Sequence, residues 1–194
     1  MIQQFILDLK SVPTEEYKKF FTHAKKVAIK YPLNEGIDCF ARGETIEWAF
    51  IKEFSKYIQI KSSEKNNVND PDGVYKEVNL FDIKTKKEGF LPQKSDPSKF
   101  YVKSWDFKKT QSGVDEFVTK AEWYVLIDPW TYRLAVLDVN VIKNKNISKG
   151  EARITFSVSP KDVIMIYDGI NELEDLYVAH QKDLLYEMIW NSVD

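Results

Sequence analysis

Residues 69–87 read NDPDGVYKEVNLFDIKTKK. The stretch decides the fold, because here the hydrophobic period changes from helical to alternating. Upstream, KSSEKNNVNDPDG (61–73) is a loop by composition. Downstream, 74–78 and 80–85 predict two paired strands. Alternation turns Phe81 and Ile83 to a core and leaves Asp82 and Lys84 on the opposite face. If residues 72 and 82 face each other, the turn centres on Glu77 within Lys76-Glu77-Val78. Directly opposite residues of an antiparallel pair stand about 5 Å apart at Cβ. Two carboxylates that close repel unless a cation lies between them.

Outward from this hairpin the pattern is layered. Phe5, Leu7 and Leu9 sit in a short helical segment that ends near Pro13. Tyr17, Phe20, Phe21, Ala24, Val27 and Ala28 recur at three and four residues, an amphipathic helix stopped by Pro32. GETIEWAFIKEFSKYIQI (43–60) predicts another helix, with Ile46, Phe50, Ile51, Phe54 and Tyr57 as its apolar stripe and Gly43 just outside its start. Segment 88–111 is loop-like, with 99–107 a candidate extended piece. A short helix is expected over 112–121, two strands around Asp128-Pro129 within 122–142, a strand over 152–159 and a closing helix over 170–190. The order points to an α/β (α+β) layered domain with a mixed sheet. We divide it as one domain over 1–194: N-terminal helices in 1–42, a core in 43–142, and a C-terminal strand and helix in 143–194.

Composition narrows the function classes. With 43% hydrophobic and 30% charged residues in 194, the chain is globular rather than disordered or membrane-spanning. MIQQFILDLK is too short and too charged for a signal peptide or a span, so a cytoplasmic protein without membrane contact is expected. The single cysteine, Cys39, excludes an internal disulfide and reads as a small buried hydrophobe. There are no cysteine pairs or histidine clusters for zinc, no P-loop and no dinucleotide glycine pattern. His23 falls on the polar side of a helix and His180 within the last one; both suit structural or surface places. Net charge is −2, yet residues 84–109 carry eight lysines against three acids, a plausible phosphate footprint.

Two accounts of the hairpin remain open on the residues alone. Asp72 beside Gly73 is a common turn pair, and Asp82 with Lys84 suits an exposed edge of alternating charge. Alternatively, two acids and an ammonium on one rigid patch are what metal-assisted phosphodiester hydrolysis needs. Hard oxygens hold Mg²⁺, the metal lowers the pKa of a bound water, and a lysine orients that water and stabilises the transition state. Asp70 shares the register and faces Lys84, so it is an alternative first acid. Asp96 and Asp106-Phe107-Lys108 repeat the same spacing in a lysine-rich stretch and form a rival site.

Pro71-Asp72, nine residues, then Asp82-Ile83-Lys84 resembles the motif of the PD-(D/E)xK nuclease superfamily. The resemblance covers roughly residues 40 to 140 and implies a restriction-endonuclease-like αβββαβ core. It implies Asp72, Asp82 and the main-chain carbonyl of Ile83 as ligands of Mg²⁺, and Lys84 as the catalytic ammonium. It also implies a further acid on the preceding helix that helps bind the metal, for which Glu47 is preferred to Glu44. A stand-alone chain of this length resembles a type II restriction endonuclease. The implied activity is cleavage of double-stranded DNA at a short palindrome by a homodimer, leaving 5′-phosphate ends. The segment 86–111 would then face DNA, with Lys86, Lys87, Lys94, Lys99 and Lys103 at phosphates and Gln93, Lys94 or Gln111 at base edges. The alternatives are a phage or repair nuclease of the same superfamily without fixed site specificity, and a non-catalytic protein-interaction domain.

Overall fold

A computed structural model of the chain describes residues 1–31, 37–64, 70–85, 100–106, 120–130, 132–143, 148–149, 153–158 and 162–169. Residues 100–106, 148–149 and 153–158 are described by their main chain alone. The predicted helices over 112–121 and 170–190 fall on or largely on residues outside this set, as do His180 and the side chain of Cys39.

Three helices open the fold: α1 (Ile2–Lys10), α2 (Thr14–Lys30) and α3 (Ile37–Phe54). In α2, Glu15 and Glu16 occupy the first turn, where they favour the positive end of the helix dipole. Its predicted stripe is the buried one, from Tyr17 to Ala28. The Tyr17 hydroxyl donates to the Leu9 carbonyl at 2.7 Å and fastens α2 to the end of α1. In α1 the buried face is Phe5, Ile6 and Leu9, while Leu7, expected among the apolar set, is exposed.

The third helix corrects its sequence reading at both ends. It begins at Ile37 rather than 43 and stops at Phe54 rather than 60. Gly43 is therefore an interior residue, at a conformational penalty of about 0.5–1 kcal/mol relative to alanine. The boundary drawn between residues 42 and 43 cuts this helix. Beyond it, Ile60–Ser62 forms a strand, β1, because the ladder to Gly73–Tyr75 satisfies backbone groups that a frayed helix end would leave open.

A six-stranded mixed sheet carries the rest of the described core. Its strands are β1, β2 (Gly73–Tyr75), β3 (Asn79–Thr85), β5 (Trp123–Asp128), β6 (Arg133–Asp138) and β9 (Ile164–Asp168), side by side in that order. The first three are antiparallel, β3 and β5 are parallel, and β5, β6 and β9 are antiparallel again. A separate three-stranded sheet joins β4 (Phe100–Asp106), β8 (Arg153–Val158) and β7 (Ser148–Lys149). The second strand of the 122–142 pair ends at Asp138. Val139–Lys143 turns into a short helix, α4, whose first turn begins with the Asn140 amide bonded to the Asp138 carboxylate. The strands β1, β7 and β9 escaped prediction.

The hairpin register is the one predicted: Gly73 pairs with Phe81, Val74 with Leu80 and Tyr75 with Asn79. The first strand is shorter than expected, because Lys76 and Glu77 both take left-handed backbone angles (φ 46° and 65°). The Val78 amide reaches the Tyr75 carbonyl at 3.4 Å. Two consecutive left-handed residues are what a type I′ turn demands, and they reverse the chain within Lys76-Glu77-Val78.

Phe5 anchors this hairpin to the sheet. Its ring meets Tyr75, Phe81 and Trp123, with centroids 5.1, 5.5 and 5.1 Å away. The helices cover one face of the sheet, where Phe81, Ile83, Trp123, Val125, Ile127, Leu134 and Val136 join one apolar cluster with α1–α3. Strand β3 alternates as the sequence requires: Phe81 and Ile83 are fully buried, and Asp82 and Lys84 project from the other face. Among the described residues no helix is long and apolar enough to cross a membrane.

Candidate active site on the central hairpin

Continuing the register by one residue sets Asp72 opposite Asp82. The strand pairing itself ends at Gly73, and side chains carry the ladder further. Asp72 Oδ2 accepts from the Ile83 amide at 2.7 Å. The Asp82 carboxylate in turn accepts from the Asp72 amide. These two carboxylate bonds tie the Pro71-Asp72 segment to β3 beyond the last rung of the ladder. From behind, Ser63 braces the segment: its amide donates to the Asp72 carbonyl at 3.1 Å and its hydroxyl to the Pro71 carbonyl.

Gly73 is required here by space. A Cβ at this position would lie 2.2 Å from the Phe81 ring. The ring lies flat over the bare Cα of its cross-strand partner, and that contact fixes where Asp72 enters the hairpin.

Lys84 completes the patch. Its Nζ stands 3.3 Å from Asp82 Oδ2, with the lysine side chain 31% exposed and the aspartate 14%. Burial pulls the Lys84 ammonium down. Attraction from Asp82, Asp72 and Glu47 outweighs it, so the group stays charged above its ordinary value. Asp82 shows the converse balance. Burial pushes its carboxyl up, Lys84 pulls it down, the negative charge of Asp72 pushes it up again, and the net direction is upward.

Glu47 belongs to this field, although it lies well inside α3 rather than one turn from its start. Its Oε1 sits 3.7 Å from where a Cβ on Gly43 would be, so the side chain leans back along the helix over that glycine. Glu44, judged a helix-start residue, is interior and exposed.

Asp70 goes elsewhere. Its Oδ1 receives the Lys120 ammonium at 2.7 Å, and the hairpin pairing that was to carry it opposite Lys84 stops three residues short. Lys120 escaped the sequence reading, since an ion pair spanning fifty positions has no local signal. Tyr124 escaped it too: β5 sets it beside Asp82 in parallel register, and the Lys84 Nζ lies 5.8 Å from its ring centroid.

Most of the expected DNA-facing residues, Lys86, Lys87, Gln93, Lys94, Lys99 and Gln111, lie outside the described residues. Lys103 belongs to β4, at a register shift between Val102 and Trp105. Of the rival site, Asp96 and Lys108 lie outside as well, and Asp106 ends β4 opposite Arg153.

The donor set suits a hard divalent cation. Asp72, just before β2, and Asp82 on β3 offer carboxylate oxygens opposite each other; burial first, and then the negative charge of Asp72, raises the Asp82 carboxyl. Among the described residues no three His, Cys, Asp or Glu side chains stand close enough to hold a metal ion by themselves. Two carboxylates and a main-chain carbonyl need no third acid, and Mg²⁺ usually keeps several waters. No family model, curated protein or solved structure matches the chain.

Proposed function

We propose that the protein is a Mg²⁺-dependent endonuclease of double-stranded DNA, with a site of the PD-(D/E)xK kind. The observation that carries it is the convergence on one hairpin of Asp72 and Asp82, in register, with an ammonium drawn upward by both and by Glu47. The chain path adds support: three antiparallel strands following a helix, then a parallel partner for the third, as an αβββαβ core requires.

In this proposal Asp72, Asp82 and the Ile83 carbonyl hold the ion, and Glu47 contributes negative charge behind Lys84. Bound there, Mg²⁺ supplies an acidified water and screens the charge that develops on the phosphate. The Ile83 amide, donating to Oδ2, fixes the orientation of Asp72. Lys84, kept protonated by its acids, orients the attacking water and stabilises the pentavalent phosphate by charge. Hydrolysis breaks the P–O3′ bond and leaves 5′-phosphate and 3′-hydroxyl ends. A restriction-type enzyme would act as a homodimer on a short palindrome; a repair or phage nuclease would keep the chemistry without that symmetry.

A second account, a non-catalytic interaction domain, is favoured by one feature. Lys84 with Asp82, and Asp72 with the Ile83 amide, satisfy one another internally. Incubation of plasmid DNA with Mg²⁺ separates the two. The nuclease account expects cutting that Asp82→Ala abolishes in a folded protein, with discrete bands for a site-specific enzyme and a smear for a non-specific one. Intact plasmid at high enzyme concentration with Mg²⁺ or Mn²⁺ would leave the interaction domain.

A further inference from the structure

The end of the Lys84 side chain meets a carboxylate on its own strand and an aromatic ring on the neighbouring one. Asp82 Oδ2 meets Nζ at 3.3 Å. The ring of Tyr124 meets it from β5, 5.8 Å from the centroid. Tyr124 is 1% exposed, on a strand buried along its whole length, so its ring is a fixed surface rather than a mobile one. Lysine, by contrast, is a compact charge on a four-carbon flexible stem. Three carboxylates, from Asp72, Asp82 and Glu47, pull on that charge. Attraction to several acids leaves so flexible a stem more than one nearby place for its charge. A π-face does, because a cation is attracted to the ring's centre and excluded from its volume.

We propose that Tyr124 is a positioning residue for Lys84: its ring face sets the ammonium beside Asp82 and keeps it from settling between the other acids. The proposal rests on the nuclease account and adds to it a residue outside the hairpin. It assigns the effect to the ring rather than to the phenolic hydroxyl. Phenylalanine at 124 should therefore preserve the arrangement, and a flexible aliphatic side chain should lose it.

Two measurements test this on the full chain. In protein labelled at lysine ε-carbons, with the Lys84 signal assigned by its loss in Lys84→Met, ring current should shift the Lys84 ε-protons upfield. The shift should persist in Tyr124→Phe and vanish in Tyr124→Leu. Under single-turnover conditions with plasmid and saturating Mg²⁺, Tyr124→Leu should cut about tenfold more slowly, the rate equivalent of a partly desolvated cation–π contact. DNA affinity should change less than twofold, and Tyr124→Phe should recover most of the rate. Should Tyr124→Leu fail to fold, Tyr124→Met fills similar volume without a ring and carries the same expectation. Tyr124→Leu or Tyr124→Met cutting at the wild-type rate overturns the role of Tyr124 alone. The same holds for Tyr124→Phe cutting as poorly as Tyr124→Leu, or for a Lys84 signal without ring shift. A wild-type protein that cuts nothing overturns the nuclease account and this role with it.

Discussion

Replacing Lys84 by methionine separates a buried charge site from an exposed edge of alternating charge, because the two differ in magnitude. At the 3.3 Å separation from Asp82 and an effective dielectric of about 20, two unit charges attract by about 5 kcal/mol. The lysine side chain is 31% exposed, and solvent screening reduces the net loss to about 2–3 kcal/mol. An exposed pair would lose only about 0–1 kcal/mol. Methionine keeps most of the stem's packing, so the difference reports charge. The assay is urea unfolding at pH 7 in the presence of EDTA, comparing midpoints at constant slope. Repeating it at pH 3 adds a check of sign. Asp82 has a raised carboxyl, so it protonates earlier than an ordinary aspartate as the pH falls. Once it is neutral, the attraction to Lys84 is gone and the variant should approach the wild type. With Lys84 absent, the acids should also welcome a cation: Mg²⁺ at ten times its dissociation constant restores about 1.4 kcal/mol by mass action. A Lys84→Met protein within 0.5 kcal/mol of wild type at pH 7, on the scale expected of surface changes, would refute the buried site.

Other consequences are independent of that experiment. Gly73→Ala places a methyl 2.2 Å from the Phe81 ring and should lower stability by about 1–3 kcal/mol in urea unfolding, with loss of any cleavage activity as the ring displaces the hairpin. Asp72→Ala leaves the buried Ile83 amide without its acceptor and should destabilise by about 1–3 kcal/mol even without metal; an unchanged midpoint would show that bond absent in solution. Glu77→Gly relieves a left-handed non-glycine backbone at φ 65° and should raise the urea midpoint, by about 1 kcal/mol in free energy.

The hairpin was legible in the sequence because it is local. Alternation along Leu80–Lys84 assigns the faces, and setting Asp72 opposite Asp82 centres a short turn on Glu77, which is the register the strands adopt. The stripe of α2 was legible for the same reason. The ends of α3 were not. Gly43 looked like punctuation, but the helix runs through it, because Arg42, Ile46, Ala49 and Phe50 are buried on either side and their packing outweighs one glycine. Ile60 looked like the last turn of that helix, yet a rung to Tyr75 claims it for the sheet. The partners across distance had no sequence signal at all. Lys120 reaches Asp70, and Tyr124 lies beside Asp82, only because β5 docks parallel to β3.

The proposed function depends on Asp72, Asp82 and the Ile83 carbonyl sharing one divalent ion. Crystals soaked in Mn²⁺, read by anomalous scattering, test this most directly. The account predicts a peak within coordination distance of those three groups, absent from Asp82→Asn crystals. Repeated wild-type soaks with no peak on the hairpin, or a peak bound only by other residues, would contradict it.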